Sequence, residues 1–256
     1  LNFSWIIVFI SLLCLIFSAA GSAMINNLIE RENDELMERL ENRVKALKLV
    51  GVGNLSAVAA FLITISIALS AIYINFLNCA LIILAILSYT IYYTLFLKKS
   101  SPFGTVLGGI PGALPVVIGY SSIQPELSYG YVDIIVLFLF MMVWQPPHFW
   151  ALAQHLKDDY KKGGFPTMPI VYGQEFTNYL IMIYSLALLP ISLYFWIVGI
   201  CSNFYGVMAA LLGCSFLYLV FRSFREKKYY KSVFLFSILY MLLVNVFISI
   251  DIIFMK

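Results

Sequence analysis

Asn26, Glu30 and Asp34 stand four residues apart within GSAMINNLIERENDELMERL, residues 21–40. On a helix, positions i, i+4 and i+8 share one face. The set begins at the end of an uncharged apolar run, where polar side chains are costly and tend to be functional. A second acidic pair, Asp158 and Asp159, follows a different apolar run, and Arg31, Arg39, Arg43, Lys98 and Lys99 flank the same kind of run end. Carboxylates from two separate helices, with bases nearby, suit a polyphosphate bound through Mg²⁺. Magnesium takes one or two protein carboxylates and fills its other positions with phosphate oxygens and water. Arg and Lys hold the phosphate oxygens the metal does not reach. The plainer alternative is a solvated amphipathic linker over residues 30–48, laced by the i,i+4 pairs Glu35–Arg39 and Glu41–Lys45.

The elements that carry these groups are membrane helices. The chain is 62% hydrophobic and 11% charged, against about 25% charged in soluble domains. Runs long enough to span a bilayer lie at 5–25, 50–74, 77–97, 105–121, 131–152, 177–200, 205–221 and 232–254, near the roughly 20 residues a span needs. Alternating polarity, the mark of a barrel, is missing, so the expected fold is an all-α polytopic bundle of eight transmembrane helices in one domain. Fifteen of the sixteen Lys and Arg fall in the loops after helices one, three, five and seven, and the last is Lys256. The loops at 75–76, 122–130 and 201–204 hold none. This alternation places the charged loops on the cytoplasmic side or its equivalent. It also puts Leu1 outside with no positive residue before it, as though a first helix were missing. A secretory signal is not expected at 5–25, since no basic segment precedes it. The small net charge of +3 gives no sign of nucleic-acid binding. Cys14, Cys79, Cys201 and Cys214 sit in apolar runs without CxxC spacing and read as small core residues.

With these residues on the page, the segment NNLIERENDELMER resembles the first signature, NxxxDxxxD, of the UbiA-type intramembrane prenyltransferases; here it reads Asn26-x-x-x-Glu30-x-x-x-Asp34. The continuation Met37-Glu38-Arg39 and Asn42-Arg43 resembles the branch that farnesylates protohaem IX, the haem O synthases. YTLFLKKSSPFGTVLGGIPGALPVVIG (93–119), WQPPHFWALA (144–153) and DYKKGGFPTMPIVYG (159–173) are similar to three further segments of that branch, in the same order. Departures are Glu30 where Asp is usual, Leu40 and Val44 beside Asn42-Arg43, and Gly104 at a position commonly Asn. The branch normally has nine helices, and its first, with a Lys-Pro-Arg entry, has no counterpart here. That agrees with the missing helix read from the charge pattern.

The resemblance implies transfer of farnesyl from farnesyl diphosphate to a vinyl group of haem B, giving haem O, with Mg²⁺ as cofactor and the lipid bilayer as host. It implies a bacterial inner or mitochondrial inner membrane, and contact with haem A synthase or terminal oxidase assembly. It assigns Asn26, Glu30, Asp34 and Asp159 to the Mg²⁺–diphosphate, with Asp158 as a further metal candidate. Arg39, Arg43 and Lys98 become the diphosphate clamp, followed by Lys99 and Lys157, and Tyr160 orients the adjacent carboxylate. His148 and His155, seven apart, could reach haem iron or a propionate; against this, His148 behind Pro146 and Pro147 could simply hydrogen-bond a kinked helix. Trp144, Phe149 and Trp150 could line a pocket or pack a core. Gly108, Gly109 and Gly112 allow close helix approach, and GGIPG lacks the spacing of a phosphate loop. Asp133 and Asp251 are expected at the membrane interface. Three alternatives stand beside this: a UbiA-type enzyme for another aromatic acceptor such as hydroxybenzoate, a transporter, and an inactive remnant.

Overall fold

A computed structural model describes residues 4–124 and 130–254. Leu1, Lys256 and most of the 122–130 loop lie outside the described residues. Eight helices are long and apolar enough to cross a membrane: Trp5–Asp34, Val52–Tyr73, Phe76–Ser100, Gly104–Ser121, Tyr131–His155, Gly173–Ile197, Asn203–Glu226 and Tyr230–Phe254. They are called spans one to eight below. No strand occurs among the described residues. Packing divides the chain into two compact units, one running to Ile134 and including Asp158–Pro166, the other comprising Ile135–Lys157 and the chain from Thr167 onward.

In the first unit, span one shows how a membrane helix inverts the soluble pattern. Its buried positions are Ser11, Cys14, Ser18, Gly21, Ser22, Asn26, Glu30 and Asp34, a stripe of small and polar residues at helical spacing. Trp5, Ile6, Phe9, Leu12 and Ile16 are exposed. In lipid the apolar side chains lose nothing by facing outward, so close packing by small residues and interhelical hydrogen bonds decide which face turns inward. Span two answers with Ala59, Ser66 and Ser70. Ser66 donates to the Cys14 carbonyl at 2.7 Å. A Cβ on Gly21 would meet Ile63 at 2.7 Å and the Ala59 carbonyl oxygen at 3.0 Å.

Span one runs nine residues past the apolar run and ends at Asp34. The chain then turns, makes a 3₁₀ turn at Glu38–Leu40 and re-enters a helix at Glu41–Val50. Gly51, at φ +82°, sits in a region open mainly to glycine, and there the chain turns into span two. The expected Glu35–Arg39 pair does not form, because the helix has ended and no i,i+4 geometry survives across the turn. Glu35 instead pairs with Lys48 at 2.9 Å, while Glu41–Lys45 forms as expected at 2.6 Å.

Span three starts under an Asn75 cap, whose side chain accepts from the Asn78 amide. Asn78 is fully buried; it accepts from Ser70 and donates to the Ile118 carbonyl and Ser121, tying spans two, three and four together. From Ser88 to Leu97 span three changes to π-helical geometry. Gly108 lies where span four breaks, and a Cβ there would run into Tyr93 and the Gly104 carbonyl.

In the second unit, span five stays helical through Pro146 and Pro147. His148 contacts Ser237 of span eight at 2.7 Å and lies between the rings of Trp144 and Phe234. It bridges two helices rather than capping one. Trp144 donates to the Ser237 carbonyl, and Trp150 is buried while Phe149 is exposed. Asp251, near the end of span eight, is fully buried and accepts from the Ser202 amide and hydroxyl just before span seven, as a buried carboxylate requires. One expectation needs correction. Cys214 is exposed, as an apolar residue on a lipid-facing surface is free to be.

Gly21→Val should lower the thermal midpoint in detergent, at a cost of about 1–3 kcal/mol for an overpacked site. Gly21→Ala should cost less, and an unchanged midpoint for Val would show that spans one and two are not pressed together at this level.

Candidate functional site

Glu30 and Asp34 lie one turn apart on the buried face of span one, at 1% and 3% exposure. Such carboxylates need partners, and each has a base from a different element. Lys98, at the end of span three, places Nζ 2.7 Å from Glu30 and donates to Oε2. Arg43, from the helix after the turn, pairs with Asp34. Asp159, on the short helix Lys157–Lys162, accepts from Arg39 Nε at 2.8 Å. Three carboxylates thus face three bases, and the cluster is neutral in pairs.

The 35–40 turn and the 158–165 segment are fastened to each other around this cluster. Lys162 pairs with Glu38 at 2.5 Å, and Asn33 donates to the Gly163 carbonyl at 3.0 Å. Met37, buried, packs where a Cβ on Gly163 would stand. Arg39 covers the Tyr160 ring at 5.0 Å and Lys98 the Phe165 ring at 5.1 Å, geometries that suit cation–π attraction. Tyr160 registers the convergence. Burial first of all, then the Glu30 and Asp159 carboxylates, hold its phenol above the usual range against the pull of Arg39. It therefore remains a neutral O–H donor at ordinary pH.

Both Glu30 oxygens lie 2.7 Å from Lys98 Nζ, while Arg43 Nε, buried, has no hydrogen-bond partner. A buried guanidinium N–H left open in this cluster is what an anionic ligand would complete. No group of three His, Cys, Asp or Glu forms a metal cage among the described residues. That fits magnesium, which needs few protein ligands when phosphate oxygens fill the rest. The residues therefore fit Mg²⁺–diphosphate. A cleft of about 320 Å³ lies beside Asp34 and Arg43, bordered also by Asn27, Arg31 and Lys48.

The other expected site residues are placed as follows. Asn26 is buried one turn before Glu30 and donates to Thr94. Asp158 and Lys99 are exposed. His148, His155 and Lys157 belong to the second unit, with His155 exposed and Lys157 half-buried. The structure adds Asn33, Met37, Thr94, Lys162 and Phe165, which lie within the family-like segments but carry no role there.

Residues 1–246 match the UbiA prenyltransferase family. The chain belongs to that family. A protein of Geotalea uraniireducens named protoheme IX farnesyltransferase is 41% identical over 91% of this chain and 89% of its own length. The fold of this UbiA-family chain is also that of solved relatives. A UbiA homolog from Aeropyrum pernix in its apo form gives a TM-score of 0.79 at 13% identity, over 98% of this chain and 92% of the other. A UbiA homolog from Archaeoglobus fulgidus bound to GPP and Mg²⁺ gives 0.67 at 18% identity, over 97% and 89%. The chain is thus an integral, multi-pass membrane prenyltransferase, and its spans are the helices of a UbiA bundle.

Lys98→Met strands Glu30 in the protein interior, which for a buried pair costs about 3–5 kcal/mol; with Lys98 partly exposed the lower end is expected. Arg39→Met, at a more open pair, should cost about 0.2–1 kcal/mol. Unfolding in detergent measures both, and equal losses would contradict the difference in burial.

Proposed function

We infer that this chain transfers the farnesyl group of farnesyl diphosphate to a vinyl group of haem B, giving haem O, with Mg²⁺ assisting departure of the diphosphate. The observation that carries this is the cluster of three carboxylate–base pairs with its open Arg43 Nε, in a chain that aligns along most of its length with a relative named for that activity. The GPP and Mg²⁺ held by the Archaeoglobus homolog support a prenyl diphosphate and Mg²⁺ here.

When bound, Mg²⁺ supplies Lewis-acid neutralisation of the leaving diphosphate. Glu30 and Asp34 are its proposed carboxylate holders, with Asn26 and Asp159 reaching it directly or through water. Lys98, Arg43 and Arg39 hold phosphate oxygens. Each base must leave its carboxylate as the ligand enters, so ion pairs are exchanged rather than created. This keeps every buried charge compensated in both states. Ionisation breaks the allylic C–O bond and releases diphosphate; the farnesyl carbon bonds to the vinyl group, and water adds hydroxyl to the resulting cation as a proton departs. Met37, Phe165 and the Tyr160 ring close the cluster from stray water.

Asp158 and Lys99 are proposed as outer members of the same charged rim; Lys157 and His148 are proposed as substrate-binding residues of the second unit. The charged ends of the spans are assigned to the cytoplasmic or matrix face of a bacterial inner or mitochondrial inner membrane, from the loop bias in Lys and Arg. Haem A synthase or terminal oxidase assembly would take up the product.

Membranes given haem B and radiolabelled farnesyl diphosphate should yield a haem heavier by one hydroxyfarnesyl. A labelled hydroxybenzoate instead would overturn the acceptor. Asp34→Ala and Asp159→Ala should each abolish transfer in folded protein, and chelation of Mg²⁺ should do the same. Because the ion pairs must open together, Mg²⁺ and inorganic diphosphate should each bind at least about fivefold more tightly in the other's presence by calorimetry, at the lower edge of ordinary coupling energies. Independent binding would contradict the exchange.

A further inference from the structure

The π-helical stretch of span three puts a hydroxyl where it can orient a site amide. Thr94 is fully buried, and its Oγ1 donates to the Tyr89 carbonyl at 2.9 Å, five residues back. That spacing is the π-helix register; in an α-helix the partner would be four back. A threonine hydroxyl has one proton. With that proton given to Tyr89, Thr94 can offer only a lone pair to the side chain facing it. The facing group is Asn26, 5% exposed, whose Nδ2 lies 3.1 Å from Thr94 Oγ1. The amide must therefore present its NH₂ to Thr94. Its carbonyl oxygen, Oδ1, is turned to the other side. One turn further along the same buried face stands Glu30, whose carboxylate is held by Lys98.

We propose that Thr94 is a positioning residue: it locks the Asn26 carboxamide so that Oδ1 joins the Glu30 carboxylate as an oxygen donor toward the Mg²⁺–diphosphate. This rests on the metal–diphosphate assignment made above. Thr94 touches neither metal nor substrate in this account. It acts through one hydrogen bond that decides which end of an ambiguous amide faces the site. A carboxamide turned the other way would aim its NH₂ donors at a cation. Threonine or serine can serve, since each accepts while donating backward; valine matches the shape and lacks the acceptor.

The test compares wild type, Thr94→Val and Thr94→Ser, with Thr94→Ala replacing valine should that variant fail to fold. Mg²⁺ affinity is measured by calorimetry in the presence of inorganic diphosphate, alongside KM for farnesyl diphosphate and for haem B. Outer-shell partners of metal ligands are typically worth 10–100-fold in affinity. Thr94→Val should weaken Mg²⁺ about tenfold, raise KM for farnesyl diphosphate and leave KM for haem B unchanged. Thr94→Ser should restore Mg²⁺ binding. Unchanged Mg²⁺ affinity in Thr94→Val overturns the proposal, as does a serine variant no better than valine. If wild type itself fails to bind Mg²⁺ with diphosphate, the underlying assignment falls, and this proposal with it.

Discussion

A carboxylate inside a membrane helix must be answered by a positive charge or it neutralises itself. Glu30 sets that demand at the end of span one, and Lys98 of span three answers it. The same demand repeats at Asp34, met by Arg43, while Asp159, outside the spans, forms a more open pair with Arg39. These three pairings join the end of span three, the turn after span one and the short helix at Lys157–Lys162.

The apolar packing around the cluster serves the same end. Span one buries serines, a cysteine and a glycine and turns its large side chains outward. This lets span two approach closely enough for Ser66 to bond a main-chain carbonyl. A rigid backbone here matters chemically. Pre-placed charges stabilise a departing anion only if they need not reorganise as it departs. The cluster compensates its charges in pairs, yet retains an unbonded guanidinium N–H at Arg43.

Tyr160 and Met37 extend this economy to the cover of the site. The fastening of the 35–40 turn to the 158–165 segment is polar at its rim, through Glu38–Lys162, and apolar beneath, through Met37 against Gly163. Exposed pairs contribute little stability, so the apolar layer holds the two segments together more than the rim does.

Much was decided by the order of residues alone. Long uncharged runs dictate helices in lipid, and the loop bias of Lys and Arg counts them, because both depend only on the solvent and not on which helix touches which. The i, i+4, i+8 spacing of Asn26, Glu30 and Asp34 put them on one face, and the helix does run through to Asp34. What the tertiary structure decided was pairing. Glu35 to Arg39 is sound helical spacing, but the helix ends first, and Arg39 goes to Asp159 instead, 120 residues away. Thr94, Met37 and Phe165 lie in recognisable segments, but their contacts come from neighbours brought in by folding. The π-helical turn has no residue signature either, since it is a change in backbone hydrogen-bond register, fixed by what the surrounding helices require.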